Sequence, residues 1–135
     1  MGRKGLTPEE RKALKARIQE EKEAQGEKAV LDQVAGWPEP ERALALGLHA
    51  LIRQEAPELT PRLWYGMPAY AREGQVLCFL QPAHKFKTRY ATFGFTDQAR
   101  LDQGEMWPVA FALKNLGPEE EEALRGLLRR ALGKA

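Results

Sequence analysis

The chain has 135 residues, 43% of them hydrophobic and 30% charged, with 21 Lys and Arg against 19 Asp and Glu for a net charge of +2. That is the balance of one globular domain, long enough to bury about 65–70% of its unfolded surface. It excludes a helical membrane span, since no apolar run approaches the ~18 residues one needs, and the single cysteine, Cys78, excludes an internal disulfide.

The start of the chain, Met1-Gly2-Arg3-Lys4-Gly5-Leu6-Thr7, lacks the apolar stretch of a secretory leader, and Leu6 stands where N-acylation requires Ser or Thr. The cytoplasm is the expected location. Thr7-Pro8-Glu9-Glu10 then reads as a helix start: Thr7 caps, Pro8 suits the first helical position and Glu10 completes a capping box. The helix that follows, to about Gln25, is nearly all charged, with Leu14 and Ile18 as a thin apolar stripe, so it belongs on the surface. Gly26 is expected to interrupt it before a short helix from Glu27 to Val34, closed by Gly36. After the Trp37-Pro38-Glu39-Pro40 break, Leu44, Leu48, Leu51 and Ile52 mark an amphipathic helix over Glu39–Glu55, stopped by Pro57.

Strands follow. Arg62–Tyr65 and Ala69–Ala71 flank a bend at Gly66-Met67-Pro68, where proline cannot donate to a ladder and glycine weakens a strand interior. Arg72-Glu73-Gly74-Gln75 reads as a hairpin turn into the apolar run Val76–Leu80, and Pro82-Ala83-His84 as the next turn. Lys85–Phe95 alternates as a strand would, with Lys85, Lys87 and Arg89 on one face. A short helix capped by Thr96 or Asp97 and ending near Gly104 comes next, then a strand over Trp107–Leu113. A last helix opens at Gly117-Pro118, with Glu119–Glu122 in its first turn offsetting the macrodipole. This order predicts an α+β fold: an antiparallel β-meander with helices on one face, residues 37–135, preceded by an N-terminal helical extension, residues 1–36.

Chemistry is sparse in the pattern. His49 and His84 have no ligating partner at helical spacing, Cys78 sits in an apolar run as a small core residue, and no phosphate loop or nucleophile elbow is present. A Cys78–His84 pair across the hairpin has no acid or amide placed to orient it. The positive excess is concentrated instead. Residues 60–95 hold Arg62, Arg72, Lys85, Lys87 and Arg89 against Glu73 alone, a local +4 that leaves −2 for the rest. The row Lys85, Lys87, Arg89 is either the guard of an exposed sheet edge or a surface that meets an anion. With the aromatic run it gives a candidate ligand-binding pocket or surface of Trp64, Tyr65, Gly66, Met67, Pro68, Tyr70, Lys85, Lys87 and Arg89.

Taken together, Trp64-Tyr65-Gly66-Met67-Pro68-Ala69-Tyr70, Val76-Leu77-Cys78-Phe79, Lys85-Phe86-Lys87, Gly94-Phe95 and the closing strand and helix resemble the YdhG-like family of small bacterial proteins, in the YjbR/CyaY-like superfamily. The likeness covers about residues 37–135. It implies a compact α+β domain and, as proposed for some relatives, a frataxin-like iron chaperone that carries iron for cluster or haem assembly. Iron would then need carboxylates, for which the first helix offers Glu20, Glu23 and Glu27. The acidic helix surface associated with frataxin-type iron binding is missing, since residues 1–36 hold eight basic and seven acidic groups. The expected function is thus a small cytosolic non-enzymatic carrier or adaptor, with iron as the implied cargo and a protein or small molecule as partner. The alternative is a module binding an anionic small molecule or nucleic acid over a basic sheet. An enzyme ranks third, for want of an acid–base or nucleophile constellation.

Overall fold

The computed structural model describes residues 5–134; the leader and acylation readings rest partly on residues 1–4, outside that range. Helix α1 spans Pro8–Ala35, and its start is the predicted capping box: the Glu10 amide donates to Thr7 Oγ1 at 3.1 Å and the Thr7 amide to Glu10 Oε1 at 3.0 Å. The expected break at Gly26 is absent. The helix runs straight through, because Gly26 is the point where α1 lies against the sheet: a Cβ there would collide with the Pro61 carbonyl. A glycine in mid-helix weakens the helix itself but allows close backbone approach. Beyond that point Val30 and Val34 enter the core, whereas Leu14 and Ile18 remain 45% and 43% exposed, as the thin stripe predicted.

Helix α2, Glu41–Glu55, buries Leu44, Leu48, Leu51 and Ile52, the predicted stripe. It starts two residues later than expected, with the Glu39 carboxylate accepting from the Ala43 amide at 2.9 Å. Strands β1 (Thr60–Trp64) and β2 (Met67–Arg72) form a hairpin whose turn is Tyr65-Gly66, not Gly66-Met67-Pro68. Both turn residues have positive φ, 53° and 76°, the geometry whose twist matches paired strands. Met67 and Pro68 are strand residues opposite Trp64 and Leu63, and Pro68 is tolerated because the ladder to β3 (Gln75–Gln81) begins only at Ala69. The β2–β3 turn, Glu73-Gly74, repeats the positive-φ pattern. A bulge between Tyr70 and Ala71 adds one residue to β3, and both Leu77 and Cys78 are fully buried.

The predicted strand over 85–95 is corrected. Ala83–Phe86 forms a single helical turn, α3; Lys87 is left-handed at φ 56°; and β4 spans only Ala91–Phe95. The row of alternate cations therefore does not exist as a strand face. Nor is there a helix over 97–104. Thr96 Oγ1 donates to the Val76 carbonyl at 2.6 Å and accepts from the Gln98 amide, closing a turn, and the Arg100 amide donates to the Ala131 carbonyl. The last strand, β5, is Ala110–Leu113, shorter than Trp107–Leu113, with Pro108 ahead of it. Helix α4, Pro118–Ala131, follows as predicted.

The sheet is an antiparallel meander in the order β1-β2-β3-β4-β5, and the fold is α+β. Register places Tyr70, Cys78, Leu80, Phe93 and Phe95 on one face. They form the core with Leu48 and Ile52 of α2 and Leu124 and Leu128 of α4. Trp64, Ala69, Phe79 and Gly94 lie on the other face, where the Phe79 ring rests on Gly94. No described helix is long and apolar enough to cross a membrane.

Candidate functional site

A cleft of about 290 Å³ opens at one end of the sheet, at the small end of the range for ligand sites. Pro38, Pro40 and Leu44 at the start of α2 form one wall, α3 a second, and Tyr90, Ala91 and Leu113 the floor. A neighbouring hollow of about 220 Å³ shares Pro40, Leu44 and Lys114 and continues towards Gly47 and Leu116. Apolar walls over this length accommodate an apolar body; the charged groups are fewer and specifically engaged.

Glu41 is the anchor. Its carboxylate accepts from the Ala83 amide at 2.6 Å and the His84 amide at 2.7 Å, and it also holds His84 Nδ1. A carboxylate only accepts, so Nδ1 carries the proton and the ring is oriented by Glu41. Trp37 packs edge-on against the same imidazole, centroids 5.2 Å apart. Burial acts to raise the Glu41 pKa, but the His84 and Ala83 amides and the His84 ring outweigh it and hold the carboxyl below its ordinary value. This capture is also why α3 forms: two amides drawn to one carboxylate turn the chain where alternation predicted a strand.

Glu39 is occupied as well, pairing with Arg42 at 3.2 Å. The cations of the cleft are not. Among the described residues neither Arg89 nor Lys114 has a carboxylate partner, and the Arg89 guanidinium lies over the Tyr90 ring at 5.3 Å. The cleft thus holds two carboxylates that are already engaged and two cations, Arg89 and Lys114, that are not.

A second polar cluster lies inside the fold. The His49 Nε2–H donates to Glu27 at 2.7 Å, and the Tyr70 hydroxyl donates to Nδ1 at 2.8 Å. Arg53 Nε stands 3.4 Å from the same Glu27 oxygen. Burial pushes the Tyr70 phenol up, so it stays neutral and able to donate. This chain ties α1 and α2 to β2. None of its residues lines either cleft above, and it reads as a structural tie.

The residues singled out in the sequence are divided by the structure. Arg89 lines the cleft. Trp64 and Tyr65 stand at the β1–β2 turn, with the Lys85 ammonium against Gly66 and Lys87 exposed nearby on the chain. Met67 and Pro68 are buried in β2, and Tyr70 is bound to His49. Of the carboxylates considered for iron, Glu20 is exposed, Glu23 is half-buried and Glu27 is held by His49 and Arg53. Among the described residues no three His, Cys, Asp or Glu side chains gather as a metal site. Cys78 is fully enclosed and burial pushes its thiol up, while His84 is held by Glu41. The Glu41–His84 pair and Lys114 escaped sequence reading. Glu41 and His84 are 43 positions apart, and no spacing rule connects them. Compared with family models, curated proteins and solved structures, the chain finds no match.

Proposed function

We propose that the protein is a cytoplasmic carrier or binding module for a small organic anion with an apolar body, held in the cleft between α2, α3 and β4–β5. The observation that carries this reading is the pairing state of the cleft: Glu41 and Glu39 are satisfied internally, while Arg89 and Lys114 have no carboxylate partner among the described residues. An anionic group would take those cations, and Pro38, Pro40, Leu44 and Leu113 would cover the apolar remainder. This reading puts the anion at the end of the sheet, where the alternative read from the sequence had it over a basic sheet face.

Calorimetric and thermal-shift titrations with aliphatic and aromatic carboxylates and organic phosphates test it, because a ligand of the native state stabilises by mass action. We expect saturable binding by an amphipathic anion, weakened at least tenfold by Lys114→Ala and further by Arg89→Ala, and weakened by salt. Binding indifferent to both substitutions, or none across the panel, overturns the proposal.

A further inference from the structure

Arg62, Lys85 and Lys87 have no carboxylate partner among the described residues, unlike Arg17, Lys28, Arg42, Arg53, Arg125 and Arg129 of the helices. Between Glu73 and Asp97 the chain contains no carboxylate at all. Glu73 itself lies in the β2–β3 turn, which the meander places at the opposite end of the sheet from the β1–β2 turn and α3. That second end is therefore rich in cations, and the carboxylates that reach it, Glu39 and Glu41, are engaged by Arg42 and by the start of α3.

It is also aromatic. Tyr65 is 80% exposed, yet its backbone is fixed in the hairpin turn and its ring packs edge-on against Trp64 at 5.2 Å. Trp64 continues to Phe79 at 5.3 Å on the sheet face opposite the core. Alongside, the Lys85 ammonium rests against Gly66, where a Cβ would displace it, and Phe86 is 42% exposed between Lys85 and Lys87. Core packing does not explain the Tyr65 and Phe86 rings left in solvent beside unpaired ammonium groups. Such an arrangement matches a strand whose phosphates meet the cations and whose unstacked bases meet the rings. A duplex would offer the phosphates but hide the bases. An acidic peptide would offer charge with no flat faces.

We propose that this end of the sheet, built from Trp64, Tyr65, Lys85, Phe86 and Lys87, binds single-stranded nucleic acid. The surface shares α3 with the cleft but none of the cleft's lining residues, and the proposal does not depend on the cleft's ligand.

The test is anisotropy of a labelled oligothymidylate of about 15 nucleotides, titrated at low and moderate salt. Tyr65→Asn is the informative variant, because asparagine accepts the positive φ of the turn and removes only the ring. We expect it to fold normally and bind at least fivefold more weakly. Lys85→Gln with Lys87→Gln should weaken binding and lower the slope of log affinity against log salt by about 1.4, the effect of two phosphate contacts on a single strand. Lys114→Ala, in the cleft, should bind the strand as the wild type does. The proposal is overturned if the oligonucleotide does not bind at low salt, or if Tyr65→Asn binds like the wild type. Equal affinity for the duplex or for polyglutamate, or a loss confined to Lys114→Ala, overturns it as well.

Discussion

Gly26 illustrates how one absent side chain can set the packing of two elements. In an exposed helix, alanine in place of glycine is favourable by about 1 kcal/mol. Here the new methyl would meet the Pro61 carbonyl, a backbone atom that cannot swing aside as a side chain would. Overpacking of this kind costs about 1–3 kcal/mol, and against backbone the upper end applies. We therefore expect Gly26→Ala to destabilise, by about 1–2 kcal/mol net, in urea unfolding. A more stable Gly26→Ala would show that α1 does not sit on β1 as described. The same residue shows what sequence alone conveys. A glycine in a charged helix is a plausible break, and only the neighbouring strand, 35 positions on, reveals it as a contact point.

At the scale of elements, α3 depends on one carboxylate from another helix. The Glu41 carboxyl is held below its ordinary value by the His84 and Ala83 amides and the His84 ring, against the opposing effect of burial. The folded protein then binds fewer protons at this site than the unfolded chain, so stability rises with pH through the interval. The contribution is complete above the ordinary glutamate value, about 4.3, and is lost as pH falls through the depressed folded value. Glu10 and Glu58 are depressed too, so the difference from a variant is the cleaner measure. Glu41→Gln should be less stable than wild type at pH 7, with the gap narrowing as the pH drops below about 4. A gap that stays constant across that range would assign the effect to neutral hydrogen bonds. This carboxylate also accounts for the largest misreading. Residues 85–89 alternate like a strand, and nothing local reports that an acid more than forty positions away will take two of the preceding amides. Elements with strong local signals were legible: the Thr7–Glu10 capping box, the Leu44–Ile52 stripe, the Glu73-Gly74 turn and the Gly117-Pro118 helix start. The 97–104 segment, held by Thr96 and Arg100 rather than by periodicity, was not.

Across the whole molecule, the sheet layer and its connections hold a group of cations, Arg62, Lys85, Lys87, Arg89 and Lys114, with no carboxylate partner among the described residues, while the helices pair part of theirs. The composition foretold this, since the excess in residues 60–95 was visible before any fold. Its arrangement was not, because Lys114 joins the group from another strand end. Unpaired like charges near one another repel, and the folded state holds them closer than the unfolded chain does. Salt screens that repulsion over about 10 Å at 0.1 M. It also weakens the exposed helix pairs, but those contribute only about 0–1 kcal/mol each, and they are the same in wild type and in a sheet-layer variant. Arg89 is a poor choice for such a variant, since its contact with the Tyr90 ring is worth about 0.5–1 kcal/mol and would be lost with the charge. Lys87 and Lys114 have no such attachment. We expect Lys87→Gln with Lys114→Gln to be more stable than wild type at about 10 mM salt, where the Debye length approaches 30 Å, and equal to it near 1 M, where it is about 3 Å. Thermal unfolding across that range reads the difference directly. A variant that is less stable throughout, or a gain that salt leaves untouched, would mean that these cations do not strain the native state. Loss of strain on removing charge is the behaviour expected of cations that an anionic ligand would neutralise.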